Sequence, residues 1–496
     1  MTRRLPIFYN ALLLTGVNLM LQLVSTGFQI YLSGVIGAAG IGLLQLVLSV
    51  GRMALTAGIA GIRTSAMYLC AGELGRPGPK NMERLLTGCA VYSLVCSFSV
   101  SAALQHFAPW LAENWIGSGQ ALGALRLLGL FLPVSCLCGV MTGYYTAANR
   151  VSLLAVIEIF EQLFSMTVTA TALYLSPRGA ADLACQAVVL GTGCGNLLTL
   201  VLLILLIQLP AKTGKTQPVT GRILKTALPL AVADDLKSGI STAENLMVPK
   251  RLALYTSQAL ASFGILTGMV FPVLMFPATV LYALAELLIP ELARCSATDL
   301  QYRIRYLVRK SLGIGLTYGL LWGGVLFLIA PELGTILYRR QEVGIWLRYY
   351  ALLAPMLYSD AIVDAMNKGL GQQVHSVRYN ILTSAMDIVF LYLLLPNYGM
   401  RGYFLSFLIT HVVNFALSLY RLLRASRAKI RWQQSALRCL CAIAAVLLCC
   451  QFSSVVIRCA GFIGSFFSLL YLTGALGKHH WRWLLDLIFI KKKAVP

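Results

Sequence analysis

The chain has 496 residues, of which 58% are hydrophobic and 12% charged, with 40 Lys and Arg against 18 Asp and Glu. A mean hydropathy of +0.76 excludes a soluble protein of this length, which would need far more polar surface. The net charge of +22 tempts one toward nucleic acid, but it sits in loops between apolar runs, where it suits anionic lipid headgroups instead.

Apolar runs of about 20 residues recur from end to end, and the alternation of outer-membrane strands is absent. The fold class expected is an all-α polytopic membrane protein with about fourteen spanning helices. The spans fall at roughly 7–32, 38–70, 84–107, 121–146, 152–175, 182–208, 223–249, 258–286, 306–330, 346–368, 375–395, 401–423, 435–457 and 460–477.

The first span carries Asn18, Gln22, Ser25 and Gln29 at i, i+4, i+7, i+11. At 100° per residue these share one helix face. The second carries Gln45, Ser49, Arg52, Thr56 and Arg63 in a similar pattern. An arginine at bilayer depth costs about 2.5–3.5 kcal/mol on insertion scales, so such a stripe is expected to face a wet cavity. Between the two spans, the glycines of 34–40 suit a turn and close helix packing. The second span is long enough to bend or to extend past the membrane.

Further along, 209–222 is polar and holds Pro210 and Pro218, which reads as a cytoplasmic linker. It divides an N-lobe, 1–208, from a C-lobe, 223–433; residues 434–496 supply two further helices and a basic tail. A weak repeat of about 220 residues supports two six-helix lobes related by a pseudo-two-fold along the membrane normal. Pro133 corresponds to Pro355, Glu158 and Glu161 to Asp387, and Asn196 to Asn414.

The seventh span is the most polar, with Asp234, Asp235, Lys237, Ser241, Glu244 and Asn245. Asp234 and Lys237, at i, i+3, are placed to pair; Asp235 points elsewhere without an evident partner. The tenth span repeats the theme with Asp360, Asp364 and Asn367. Arginines suit a phosphate, which they grip bidentately. Buried carboxylates suit Na⁺ or a proton. Together they suggest an anionic, lipid-linked substrate with no resident cofactor, Na⁺ or H⁺ coupling remaining an open option. The candidate substrate residues are Asn18, Gln22, Gln29, Gln45, Arg52, Arg63, Lys237 and Asn245. The candidate coupling residues are Asp234, Asp235, Glu244, Asp360 and Asp364.

About 27 of the 40 basic residues fall on one side when the N-terminus is placed inside, which puts both termini in the cytoplasm of a cell membrane. The 13 cysteines lie mostly in apolar runs and show no zinc spacing. No phosphate-binding Gly-rich motif is present, and His375 and His411 are isolated. A lipid-carrier glycosyltransferase would need catalytic acids in a large outer loop; the outer loops are short, with only Glu332 and Glu342 in the largest. A transporter is therefore expected rather than an enzyme.

The sequence also resembles the multidrug/oligosaccharidyl-lipid/polysaccharide exporter superfamily, in its polysaccharide-export and stage V sporulation protein B branch. The segments that carry the resemblance are Gly40–Ser49 (GIGLLQLVLS), Glu244–Leu252 (ENLMVPKRL), Phe263–Pro272 (FGILTGMVFP), Phe276-Pro277, Leu288–Glu291 (LIPE), Asn367–Gln373 (NKGLGQQ) and Pro396–Tyr403 (PNYGMRGY). The resemblance implies two six-helix lobes forming a V around a cavity lined by spans one, two, seven and eight. It implies alternating access that moves an undecaprenyl-diphosphate-linked saccharide or peptidoglycan precursor between leaflets, as in spore cortex or envelope synthesis. The two extra spans would accompany a groove for the lipid tail. Lipid II flippases of this kind are richer in cavity arginines, in the first and eighth spans among others, which have none here. Drug exporters of this kind, in some cases, use a first-span carboxylate that is also missing. A cation-coupled multidrug antiporter is the alternative on the same fold.

Overall fold

The computed structural model describes residues 4–75, 82–148, 150–177, 181–207 and 220–475, with side chains from residue 16 onward except at 18, 75, 151 and 233. Most of the expected linker, the basic tail and the Asn18 side chain thus lie outside the described residues. All regular structure among the described residues is helical. In chain order the helices are α1 (Arg4–Ile59), α2 (Ile62–Gly75), α3 (Met82–Trp110), α4 (Leu122–Ala147), α5 (Val151–Leu175), α6 (Ala181–Leu205), α7 (Thr220–Leu252) and α8 (Ala259–Ile265). Then follow α9 (Phe271–Met275), α10 (Ala278–Ala297), α11 (Gln301–Tyr338), α12 (Gln341–Ala351), α13 (Ala354–Gly369), α14 (Gln373–Ser426), α15 (Trp432–Cys449) and α16 (Val455–Leu472).

Nine helices among the described residues are long and apolar enough to cross a membrane, or ten with the bent pair Ala259–Met275 and Ala278–Ala297 counted as one. Two of them, of 56 and 54 residues, would reach about 80 Å at 1.5 Å per residue, twice a bilayer. Each is a pair of spans. One pair turns at Gly37 (φ 72°) and the other at Gly399 (φ 55°), in a backbone region that glycine enters without a Cβ penalty. The two remaining expected spans miss the length and composition test for visible reasons. Helix α7 is too charged, and the tenth span is broken at Leu352–Leu353 into α12 and α13. The bend foreseen in the second span lies at Ala60 and Gly61, both with positive φ.

The described residues form two compact units, 1–269 with 384–406, and 270–383 with 407–496. Helix α7, expected to open the second lobe, thus lies in the first unit. There Leu43, Leu46 and Val47 of α1 pack with Leu125 and Leu132 of α4, and with Phe263 of α8 and Leu391 and Leu395 of α14. In the second unit α11 is central. Gly315, Gly319 and Gly323 form a row against α12 and α13, where a Cβ on Gly319 would fall 2.6 Å from the Pro355 Cα. Lipid offers apolar side chains no less than protein does, so small residues that let backbones approach are what hold such helices together. On its other side α11 receives α15 and α16 through Val325, Leu328, Phe462 and Phe466.

Two arginines, Arg438 buried and Arg458 half-buried, fasten that last pair of helices. Arg438 of α15 donates to the Gly313 carbonyl at 3.0 Å and to the Ala475 carbonyl. Arg458 of α16 donates to the Leu328 carbonyl at 2.9 Å and pairs with Glu332. Both bond to α11, about 15 residues apart, or about 22 Å along it.

Candidate substrate and cation sites

In the first unit, Arg52 lies on α1 eight residues before the break at Ala60. Its side chain is exposed, yet surrounding protein partly desolvates it. Arg63 lies beyond the break, on α2, so the face expected to run from Gln45 to Arg63 ends at Thr56. Arg63 is exposed and close enough to Glu158 of α5 to act on it electrostatically.

Several expected cavity residues have structural partners instead. Gln29 Nε2 donates to the Gly268 carbonyl at 3.2 Å. Asn245 Nδ2 donates to Ser49 Oγ at 3.1 Å, and Thr242 Oγ1 to the Ser49 carbonyl at 3.1 Å. These bonds tie α1 to α7 and to the segment after α8. Gln22 and Gln45 are half-buried.

On α7, Asp234 and Lys237 are both exposed, and the pairing expected from their spacing does not form. The ion pairs found among the described residues are Arg222–Glu73, Arg303–Glu291, Lys368–Asp364 and Arg458–Glu332. Asp235 does stand apart, as expected: its Oδ1 is buried without a hydrogen-bond partner, in the field of Asp234. Glu244 is half-buried, and its Oε1 also lacks a partner. Asp387 and Ser384 of α14 face it. Ser406 Oγ donates to Asp387 Oδ1 at 2.5 Å. Two carboxylates and two hydroxyls thus meet in one part of the first unit, an all-oxygen set that suits a hard monovalent cation or a shared proton.

The second unit holds a separate acidic cavity of about 250 Å³ lined by Asp360, Asp364, Tyr282, Asn380, His411 and Asn414, among others. Asn414 Nδ2 donates to Asp360 Oδ2 at 3.3 Å, while Asp360 Oδ1 is buried and unpartnered. Asp364 pairs with Lys368 one turn on, at 2.7 Å, so Asp360 carries the cavity's uncompensated charge.

The weak repeat acquires physical content here. Asn196 of α6 donates to Ser135 of α4 at 2.8 Å, as Asn414 of α14 donates to Asp360 of α13. Thr199 of α6 donates to Glu161 of α5 at 2.8 Å, as Ser406 donates to Asp387 at the matching pair of spans. Ser384, Asp387, Asn414, Ser406 and the Glu161–Thr199 pair were not singled out as site residues. For Asp387 and Glu161 the sequence carries a signal, since an ionisable residue inside an apolar span is a functional candidate by default; the hydroxyl and amide partners carry none.

Comparison with known proteins accords with this architecture. No family model matches the chain. Stage V sporulation protein B of Bacillus subtilis (strain 168) is 20% identical over 414 residues, 79% of each chain. Among solved structures, the lipid II flippase MurJ in an inward closed conformation superposes with a TM-score of 0.71 at 12% identity, covering 93% of this chain and 99% of the other. An inward-facing multidrug resistance MATE family transporter of the MOP superfamily gives a TM-score of 0.65 at 15% identity, covering 82% of this chain and 95% of the other. The chain thus has the all-helical fold of the MOP-superfamily transporters it superposes on, is a multi-pass membrane protein, and in sequence resembles stage V sporulation protein B.

Proposed function

We propose that this protein is a transporter, not an enzyme, that flips an undecaprenyl-diphosphate-linked oligosaccharide or peptidoglycan precursor across the cell membrane by alternating access. Both termini are cytoplasmic, and the activity serves cell-envelope or spore-cortex synthesis. The observation that carries the reading is Arg52, a permanently charged group in an apolar span, exposed and partly desolvated by the surrounding protein. Its guanidinium fork matches a diphosphate. Arg63 adds a second cation on α2. Coverage supports the same choice. The flippase MurJ matches 93% of the chain and the MATE transporter 82%, a margin comparable to the α15–α16 pair.

The experiment is flipping of a fluorescent undecaprenyl-diphosphate saccharide in proteoliposomes. Arg52→Ala lowers the rate about tenfold or more, the worth of one charge-assisted contact, and Arg52→Lys recovers part of it. Unchanged flipping in Arg52→Ala combined with Arg63→Ala refutes the reading.

The second reading is a cation-coupled multidrug antiporter. It is favoured by the Glu244–Asp387 pair and by Asp360, which would bind Na⁺ or H⁺. Dye efflux that requires a Na⁺ or proton gradient, and that Glu244→Gln abolishes, would establish it in place of the flippase.

A further inference from the structure

A groove of about 630 Å³ lies in the second unit, between the end of α11 and α12. One wall is Phe327, Pro331 and Thr335, at i, i+4, i+8 on α11; the other is Ile345 and Arg348 of α12 with Leu352 just after it. Its depth in the bilayer follows from α11. That helix opens with Arg303, Arg305, Arg309 and Lys310, which mark the headgroup level of one leaflet. Glu332 lies about 33 Å further along, and the hydrocarbon core is about 30 Å thick. The groove therefore sits where acyl chains meet headgroups in the opposite leaflet.

Basic residues are normally sparse on that side. Here Arg348 lines the groove, and Arg339 and Arg340, like it exposed, lie in the turn that joins α11 to α12. The Arg348 guanidinium lies 4.4 Å from the Phe327 ring centroid, a cation–π contact that holds it at the groove mouth. The acid in the wall, Glu332, is engaged by Arg458. Glu342, exposed in the first turn of α12, opposes the three arginines alone, and the net charge is positive. Ile345 and Leu352, one turn to either side of Arg348, offer exposed apolar surface in the same groove.

We infer that this groove is a binding site for an anionic phospholipid of the bilayer. Its phosphodiester sits against Arg348, with Arg339 and Arg340 of the adjoining turn adding positive potential, and an acyl chain lies along Ile345, Leu352 and Phe327. A lipid there also packs beside the Glu332–Arg458 link, bracing α16 on α11. The site makes no use of Arg52, Glu244 or Asp360, so it stands or falls apart from the proposed flipping activity.

The test is native mass spectrometry of the purified protein titrated with phosphatidylglycerol or phosphatidylcholine of identical chains. Each arginine near a membrane surface favours an anionic lipid by about fivefold. The wild type should therefore retain several-fold more phosphatidylglycerol, Arg348→Ala should lose about fivefold of that preference, and Arg348→Lys should keep most of it. Arg424→Ala, in the last turn of α14 and outside the groove, should retain phosphatidylglycerol as the wild type does. Equal retention of the two lipids by the wild type, or an unchanged preference in the combined variant R339A, R340A and R348A, overturns the proposal. A photoactivatable phosphatidylglycerol on the wild type gives a test that needs no variant. Crosslinks within residues 327–352 support the site, and crosslinks confined to other segments refute it.

Discussion

Arg52 and Asn245 illustrate how far a residue can be read alone. Both are polar in apolar spans, and helical phase puts each on a polar face. Phase gives a direction and no partner. Asn245 turns out to donate to Ser49, 196 residues away in sequence, and Gln29 to a carbonyl 239 residues away. Arg52 makes no side-chain hydrogen bond among the described residues and remains available to a ligand. The two residues should therefore fail differently. Asn245→Ala should lower stability by about 1 kcal/mol, the worth of one such bond, seen as earlier thermal unfolding in detergent, and leave flipping within about twofold. Arg52→Ala should leave the unfolding transition in place while lowering transport about tenfold or more, because its guanidinium has no hydrogen-bond or ion-pair partner among the described residues. Asp234 and Lys237 carry the same lesson: correct spacing on a helix permits a pair, but two exposed side chains gain little from closing it.

At the scale of elements, length was legible and breaks were less so. Apolar runs fix which segments cross, since every backbone group at bilayer depth must be bonded internally. A break needs only a residue or two, and its signal is weak. The glycines of 34–40 pointed to the turn at Gly37. The length of 38–70 implied a bend without placing it at Ala60 and Gly61. Gly399 is the most constrained of these positions: at φ 55° and ψ −133°, a Cβ would also lie 2.5 Å from the Tyr255 ring. Gly399→Ala should cost about 1–3 kcal/mol in backbone strain, before the ring's displacement is counted. Thermal unfolding would show it directly. Gly371, also at positive φ but with nothing near it, should tolerate Ala with a smaller loss.

At the scale of the whole molecule, composition and periodicity made the class and the approximate number of spans readable. The grouping of those spans was not. Chain order suggests that α7 opens a second half, yet contacts place it with α1, α2 and α8, because Ser49, Thr242 and Asn245 bond across and Arg222 reaches Glu73 at 3.7 Å. Tertiary partners of this kind leave no local trace. The same scale sets the coupling test. Glu244 and Asp360 lie in different units and in separate clusters, so their neutralisation should be separable. If transport is cation-driven, Glu244→Gln and Asp360→Asn should each shift the Na⁺ or pH dependence of flipping, and the combined variant should show the product of the two effects. A combined effect no greater than either alone would assign a single site.

The arginine clamps on α11 have a consequence for how the chain is made. Glu332 and Arg458 are 126 residues apart, so at about 5–20 residues per second the acid waits roughly 6–25 seconds for its partner to be synthesised. During that interval a carboxylate stands at the edge of the bilayer with no cation against it, on a helix already inserted. A nascent chain stopped before α16 should therefore display a persistent defect that quality-control proteases can recognise. Pulse-labelled truncations ending before and after residue 458 should differ sharply in lifetime, and Glu332→Gln should lengthen the life of the shorter one.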